Sequence, residues 1–157
     1  MLVTGVSNGS LTLNTDGSFE YIPNADFNGT DTFTYQANDG VLNSDIATVT
    51  ITVDPVNDNP VAFNDQYTVN EDETLTIDAV DGVLENDTDI DGDALTSVFV
   101  TGVSNGSLTL NTDGSFEYTP NADFDGTDTF TYQANDGGLN SEIATVTISE
   151  FNPPSLA

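Results

Sequence analysis

Apolar and polar residues alternate along several short stretches of the chain, and this period of two predicts β-strands. Residues 129–134 place Phe130, Tyr132 and Ala134 on one face, and residues 144–148 continue the same pattern. Two pairs of apolar residues, Leu108 with Leu110 and Phe116 with Tyr118, mark two more strands, and residues 66–70, 74–78 and 95–100 complete a set of seven. No helical period persists, although one short helical turn is predicted at residues 80–84.

Turn residues separate these runs and indicate how the strands connect. Asn105-Gly106 and Asp113-Gly114 lie between alternating segments, which predicts a hairpin at each. Seven short strands with a turn roughly every 8–12 residues are typical of an all-β, antiparallel, immunoglobulin-like β-sandwich. The predicted core consists of the apolar members of these strands: Leu108, Leu110, Phe116, Tyr118, Phe130, Tyr132, Ala144, Val146 and Ile148.

The chain contains a near-exact internal repeat. Residues 3–51 recur as residues 100–148, with four differences: Ile22/Thr119, Asn28/Asp125, Val41/Gly138 and Asp45/Glu142. Residues 61–99 have no counterpart before Val3, so the first copy has only a back half. We therefore expect a partial repeat at residues 1–54, an Asn/Asp/Pro linker at 55–60, a complete domain at 61–150 and a tail at 151–157.

The charge of the chain limits the classes of partner that it can bind. It has 27 Asp and Glu residues and no Lys, Arg or His, giving a formal net charge of −27. Nucleic acid is excluded as a direct partner because phosphate binding requires basic side chains, and an anionic membrane surface is disfavoured. Direct membrane insertion is not expected, since no run of 18 apolar residues exists. The natural partners are cations, with an acidic surface adapted to high salt as the alternative explanation.

The densest group of carboxylates suggests a calcium site. Asp87, Asp89, Asp91 and Asp93 alternate with other residues, and Ca²⁺ binds six to eight oxygen ligands at flexible angles. The spacing matches the first half of an EF-hand loop, but Val98 occupies the twelfth position, where a bidentate Glu is needed. An acidic calcium loop of another geometry is the interpretation we favour over a solvated turn.

Catalysis finds little support in the residue types. The chain lacks His, Cys and Lys, so a nucleophile paired with a base cannot be assembled from them. A mechanism with two carboxylates is the only one chemically open, and the carboxylates lie mainly in predicted turns. We expect a protein that is not an enzyme.

Two motifs resemble a known family. Asn57-Asp58-Asn59-Pro60 resembles the inter-domain signature of cadherins, and the segment from Glu85 to Leu95 resembles the hallmark of bacterial cadherin-like tandem repeats. The resemblance implies a calcium-stiffened structural or adhesive array, extracellular or at the cell surface, as in secreted adhesins and biofilm proteins. Neighbouring repeats would be its partners. The start of the chain is no signal peptide, so a secretion signal would lie outside it.

The alternation of loops between the two ends of a sandwich suggests where the ligands gather. We expect the loop of Asp87, Asp89, Asp91 and Asp93 to face the linker, where Asp54, Asn57, Asp58 and Asp26 would join it at one junction. Glu71 would lie at the opposite end and serve another junction. Asn135-Asp136-Gly137 is interpreted first as a turn and only second as a source of a ligand.

Two other functions stay open. The chain could bind carbohydrate or a partner surface, or it could assemble with another copy of itself through the half-domain. The partial repeat lacks its front strands, which leaves apolar side chains and strand edges without partners. Either the chain is a fragment of a longer array, or a front half is supplied by another molecule.

Overall fold

The structure, a computed structural model, describes residues 1–70 and 72–151. The chain divides between Val56 and Asn57 into two compact units, which we call unit 1 and unit 2. The predicted linker and domain limits remain predictions, and the predicted tail from residue 152 onwards lies outside the described residues. Each unit is described by itself below.

The described residues of unit 2 form seven strands in two sheets. These strands are β6 (Asp65–Asn70), β7 (Leu75–Ile77), β8 (Thr96–Thr101), β9 (Gly106–Leu110), β10 (Phe116–Pro120), β11 (Thr127–Asn135) and β12 (Ala144–Phe151). One sheet has the order β6-β12-β11-β8 and the other β7-β10-β9. The prediction of an all-β sandwich is confirmed. One pairing departs from the antiparallel expectation: β6 runs parallel to β12, with Tyr67 opposite Ile148.

The core of unit 2 lies between these sheets. Phe116 of β10 contacts Phe130 of β11 with ring centroids 5.4 Å apart, and Tyr67 of β6 packs on the same Phe116 ring at 5.0 Å. Seven of the nine predicted core residues are buried, and Leu108 and Leu110 pack against them half-buried. Alternation identified this core because each strand turns one face inward.

One of the two predicted hairpins is wrong. Asp113-Gly114 does connect β9 to β10, and Gly114 adopts a φ of +87°, which suits glycine. Asn105-Gly106 does not form a hairpin, because β8 and β9 belong to different sheets. Gly106 is instead required by close packing: a Cβ there would lie 2.6 Å from the Thr119 carbonyl oxygen. The predicted helical turn appears as a short 3₁₀ helix at Ala79–Asp81, slightly before the expected position.

Unit 1 contains the five strands of the repeated back half. They are β1 (Leu2–Thr4), β2 (Gly9–Leu13), β3 (Phe19–Pro23), β4 (Gly29–Tyr35) and β5 (Ala47–Val53). They form a three-stranded sheet, β1-β4-β5, and a two-stranded sheet, β2-β3. Phe33 is buried and packs on the Phe19 ring at 5.2 Å, as Phe130 does on Phe116 in unit 2.

Candidate metal centre

The linker end of unit 2 runs along the acidic loop. Val61 and Thr88 exchange two main-chain hydrogen bonds, of 2.8 and 3.0 Å. The Asp58 main-chain N–H donates to Asp91 Oδ2 at 2.8 Å. Asn-Asp-Asn-Pro has little tendency to form regular structure, so these hydrogen bonds to the acidic loop fix the path of the linker. The linker and the predicted calcium loop therefore lie side by side.

Asp89 lies at the centre of the loop. Its Oδ1 accepts hydrogen bonds from the main-chain N–H groups of Asp91 at 2.9 Å and Asp93 at 3.2 Å. Gly92, with a φ of +78°, lets the chain turn tightly around this carboxylate. The other oxygen, Asp89 Oδ2, is enclosed and has no hydrogen-bond partner among the described residues. An enclosed carboxylate oxygen without a partner carries a desolvation cost that a cation would relieve.

A third segment, the turn after β11, reaches the same end of unit 2. Asn57 Nδ2 donates to Asp136 Oδ2 at 2.8 Å, and Asn59 Nδ2 donates to the Asn140 carbonyl oxygen at 3.1 Å. The main-chain N–H groups of Leu139 and Gly138 donate to Asp136 Oδ1 at 2.7 and 2.6 Å. These hydrogen bonds lower the pKa of Asp136 because they stabilise its charged form.

Asp87, at the start of the loop, is half-buried and has different partners. Its Oδ1 accepts from the Phe63 main-chain N–H at 2.8 Å, and the Tyr132 hydroxyl lies 3.0 Å from its Oδ2. The same hydroxyl is 3.3 Å from Asp65 Oδ2. Burial raises the pKa of Asp87, while burial and the nearby Asp87 charge raise the pKa of Asp65 to about 6. Asp87 thus belongs to a half-buried carboxylate pair and is held differently from Asp89 and Asp91.

The structure brings six of the nine predicted ligands to one end of unit 2. They are Asn57, Asp58, Asp87, Asp89, Asp91 and Asp93. Two others, Asp26 and Asp54, belong to unit 1, where both are exposed. They lie at one end of that unit, because Asp54 follows Val53, which pairs with Gly29 at the start of β4. The convergence of both units on one junction remains a prediction.

The ninth predicted ligand, Glu71, lies outside the described residues. Its neighbour Asp72 accepts a hydrogen bond of 3.3 Å from the Asp123 main-chain N–H. Asp123 precedes β11, whereas Asp136 follows it, so this contact is at the other end of unit 2 from the acidic loop. Asp72 therefore lies at the end of unit 2 away from the linker, and the role of Glu71 stays a prediction.

The donor set of the loop fits a hard cation, although it is not assembled as a finished cluster. In the part of the chain that the structure describes, no group of three or more acidic, His or Cys side chains is placed to hold a metal. Asp58, Asp89, Asp91 and Asp136 nevertheless lie on three adjoining segments, and Asp89 Oδ2 lacks a partner. Carboxylate, amide and carbonyl oxygens are the ligands that Ca²⁺ takes, so the residue types of these segments fit this ion.

Sequence reasoning did not predict the contact of Asp136 with Asn57 and missed Asp65, whereas the hydrogen bonds of Asp136 to Gly138 and Leu139 fit the predicted turn. Asp136 was interpreted mainly as a turn residue, and its contact with Asn57 depends on the return of β11 to the linker end. The available signal was its position immediately after a long strand. Asp65 lies at the start of β6, far in sequence from Asp87, and nothing in a linear pattern indicates that they meet.

The comparisons with known proteins identify a family. A family model described as a bacterial cadherin-like domain matches residues 2–55 and again residues 57–151. No curated protein matches the chain. Among the described residues, no helix is long and apolar enough to cross a membrane.

Solved structures of cadherin domains resemble the chain. Human mucin-like protocadherin EC1-2 is 16% identical with a TM-score of 0.63, and the match covers 98% of this chain and 84% of that one. The protocadherin GammaB4 extracellular domain is 22% identical with a TM-score of 0.55, over 98% of this chain and 27% of that one. At these identities the likeness shows the fold alone.

An endo-fucoidan hydrolase of glycoside hydrolase family 107 also matches, with 22% identity over 98% of this chain. The chain spans 23% of the length of that enzyme, and its TM-score of 0.42 carries no argument about hydrolysis.

Proposed function

This chain belongs to the bacterial cadherin-like domain family, and from that premise we propose that it is a calcium-binding structural and adhesive repeat of a large secreted or cell-surface protein. Its partners would be the neighbouring repeats of the same array. The family is a non-enzymatic one, in keeping with the absence of His, Cys and Lys from the chain. An extracellular location is part of the proposal.

The enclosed Asp89 Oδ2 is the observation that carries the calcium proposal. This oxygen is buried without a partner among the described residues, in a loop that is hydrogen-bonded to the linker through Asp58 and Asp91. Burying a carboxylate oxygen without a donor or a cation is unfavourable, and a chain without Lys, Arg or His has no cationic side chain to offer. A metal ion is the remaining source of positive charge.

The residues proposed to hold the ion come from all three segments: Asp89, Asp91 and Asp93 from the loop, Asn57 and Asp58 from the linker, and Asp136 from the turn. Ca²⁺ would supply the charge that neutralises these carboxylates. Asn57 and Asp136 position each other through their hydrogen bond, so the turn would be oriented before the ion arrives. Asp87 remains a proposed ligand at the start of the same loop, and Asp54, Asp26 and Glu71 remain proposed ligands at junctions between repeats.

Isothermal calorimetry of the full chain, freed of metal by a chelator, tests the proposal. We expect Ca²⁺ to bind and to raise the melting temperature, because a ligand that binds only the folded state adds about 2.7 kcal/mol at a hundredfold excess over its dissociation constant. Asp89→Asn should weaken binding at least about tenfold, since it removes the charge at the site. Asp78→Asn is the matched control: Asp78 is an exposed residue before the 3₁₀ helix and makes no side-chain cap there.

Two outcomes would count against calcium. Binding that is equally strong in Asp89→Asn and Asp78→Asn would show that the loop is not the site. A stabilisation reproduced by NaCl at equal ionic strength would assign the effect to screening of the −27 charge. Mg²⁺ is expected to replace Ca²⁺ poorly, because it requires a compact octahedron of ligands.

A further inference from the structure

The repeated back half occurs in this chain both covered and uncovered. Phe116 in unit 2 is 2% exposed, whereas its counterpart Phe19 in unit 1 is 46% exposed. Tyr132 and Val146 are fully buried, whereas their counterparts Tyr35 and Val49 are only half-buried. Because the two copies are nearly identical in sequence, the difference lies in what packs against them and not in the residues themselves.

Unit 2 shows what covers this face. There β7 pairs with β10, with Leu75 opposite Tyr118, and β6 pairs with β12. In unit 1 the equivalents of β10 and β12 are β3 and β5. Among the described residues, β3 pairs with β2 alone and β5 with β4 alone, so both edges where β6 and β7 would join are free.

The space that counterparts of β6 and β7 would fill is a groove in unit 1. It has a volume of about 720 Å³, and its apolar lining includes Leu13, Phe19, Phe33, Tyr35 and Val49. Two equivalent glycines, one in each copy, also differ in the space around them. A Cβ on Gly114 would lie 3.0 Å from Leu84, whereas a Cβ on the equivalent Gly17 meets nothing within 4 Å.

We propose that this open face of unit 1 is a docking surface for the front segment, defined as residues 61–84, of a second copy of this repeat. Several apolar side chains of the front segment face the core of unit 2, among them Tyr67, Val69, Leu75, Ile77 and Val83. In unit 2 those side chains cover the counterpart of the open face, so the fit between segment and face is already present once in the chain. The segment adds strands to free edges, a recognised mode of peptide binding.

Exchange of the front segment between two chains makes and breaks only non-covalent contacts. A copy that donates its front segment uncovers its own unit 2, so exchange between intact chains is nearly neutral, the condition under which strand exchange occurs. A free front segment has no such cost and is therefore the sharper probe. This interface is separate from the metal centre, since none of the lining residues belongs to the acidic loop.

The test adds a synthetic peptide of residues 61–84 to the full chain. We expect one peptide to bind per chain in calorimetry. Hydrogen exchange should slow at the two free edges, Phe19–Pro23 and Ala47–Val53. Phe19→Asp should weaken binding about tenfold or more, because burial of a Phe side chain is lost. The control Phe99→Asp changes a Phe of unit 2 that is 53% exposed and should leave binding unchanged.

Variant peptides test which face of the segment binds. Val69 is buried and Thr68 is exposed in unit 2, so a Val69→Asp peptide should fail to bind while a Thr68→Asp peptide binds as the native one does. Three results would overturn the proposal: a native peptide that does not bind, binding that protects only β10 and β12, or equal loss with Phe19→Asp and Phe99→Asp. A chain that dimerises by light scattering, with Phe19–Pro23 already protected, would assign the face to a second unit 1 instead.

Discussion

At the scale of single residues, the Tyr132 hydroxyl of unit 2 is surrounded by hydrogen-bond acceptors. It lies near four oxygens: Asp65 Oδ2, Asp87 Oδ2 and the carbonyl oxygens of Phe63 and Val83. A hydroxyl has one proton to donate, so it cannot satisfy four acceptors. Burial raises the pKa of both Asp87 and Asp65, and the nearby Asp87 charge raises the pKa of Asp65 further.

This pair predicts a pH dependence of the calcium-free protein. The pKa of Asp65 is raised from 3.8 to about 6, so the folded state binds this proton more tightly than the unfolded state. Stability should therefore increase as the pH falls from 7.5 to 5 in chelator, as measured by urea unfolding. The carboxyls with lowered pKa, such as Asp31 and Asp136, lose their contribution only below pH 3.8, outside this window.

The matched variants Asp65→Asn and Asp78→Asn separate this effect from general charge repulsion. Asp65→Asn should be more stable than the native chain at pH 7.5 by about 1 kcal/mol, allowing for partial solvent screening, and its stability should change less with pH. Asp78→Asn removes the same charge from an exposed position. If both variants flatten the profile equally, the Asp65–Asp87 pair is not the cause.

At the scale of secondary-structure elements, alternation predicted most strands of unit 2 because they have one inward and one exposed face; β8 is the exception, with only Ser97 buried. Residues 129–134 and 144–148 lie within β11 and β12 as expected. Pairing was harder to predict, since Asn105-Gly106 has the composition of a hairpin turn but connects two sheets. The parallel pairing of β6 with β12 depends on contacts far apart in sequence, which a local pattern does not contain.

In the candidate site too, residues that are neighbours in sequence could be predicted, whereas contacts between distant segments could not. The acidic loop could be found from the spacing of Asp87, Asp89, Asp91 and Asp93, because its residues are neighbours in sequence. The contacts of the loop with Asn57, Asp58 and Asp136 arise from the return of distant segments to one end of the sandwich. Linear spacing also could not separate Asp87, enclosed with Asp65, from Asp89 and Asp91.

The β9–β10 hairpin yields a prediction at this scale. Gly114 and Gly17 have φ values of +87° and +90°, so an Ala at either costs about 1 kcal/mol of backbone strain. At Gly114 the new methyl group would also press on Leu84, adding about 1 kcal/mol or more of overpacking. Thermal unfolding should show Gly114→Ala to be more destabilising than Gly17→Ala. Equal losses of stability in the two variants would mean that Leu84 moves aside without an energetic cost.

At the scale of the whole molecule, the charge of −27 has no basic side chain to balance it. Self-repulsion destabilises a compact state and is screened by salt, with a Debye length of about 10 Å at 0.1 M. In chelator, NaCl raised from 0.01 to 0.5 M should therefore increase the melting temperature, as measured by calorimetry. A melting temperature that does not change with NaCl would show that the carboxylates are too far apart to repel.

The free edges of β3 and β5 have a consequence for the colloidal behaviour of the protein. An unpaired edge is a template on which another chain can add strands, and repeated addition leads to fibres. Glu20 within β3 and Asp54 just after β5 place negative charge at these edges. The repulsion that weakens the fold at neutral pH thus keeps the edges of different molecules apart. As the pH falls, protonation of carboxyl groups reduces the net charge of −27 and that protection weakens, so edge-to-edge growth becomes the main hazard for the protein in acid.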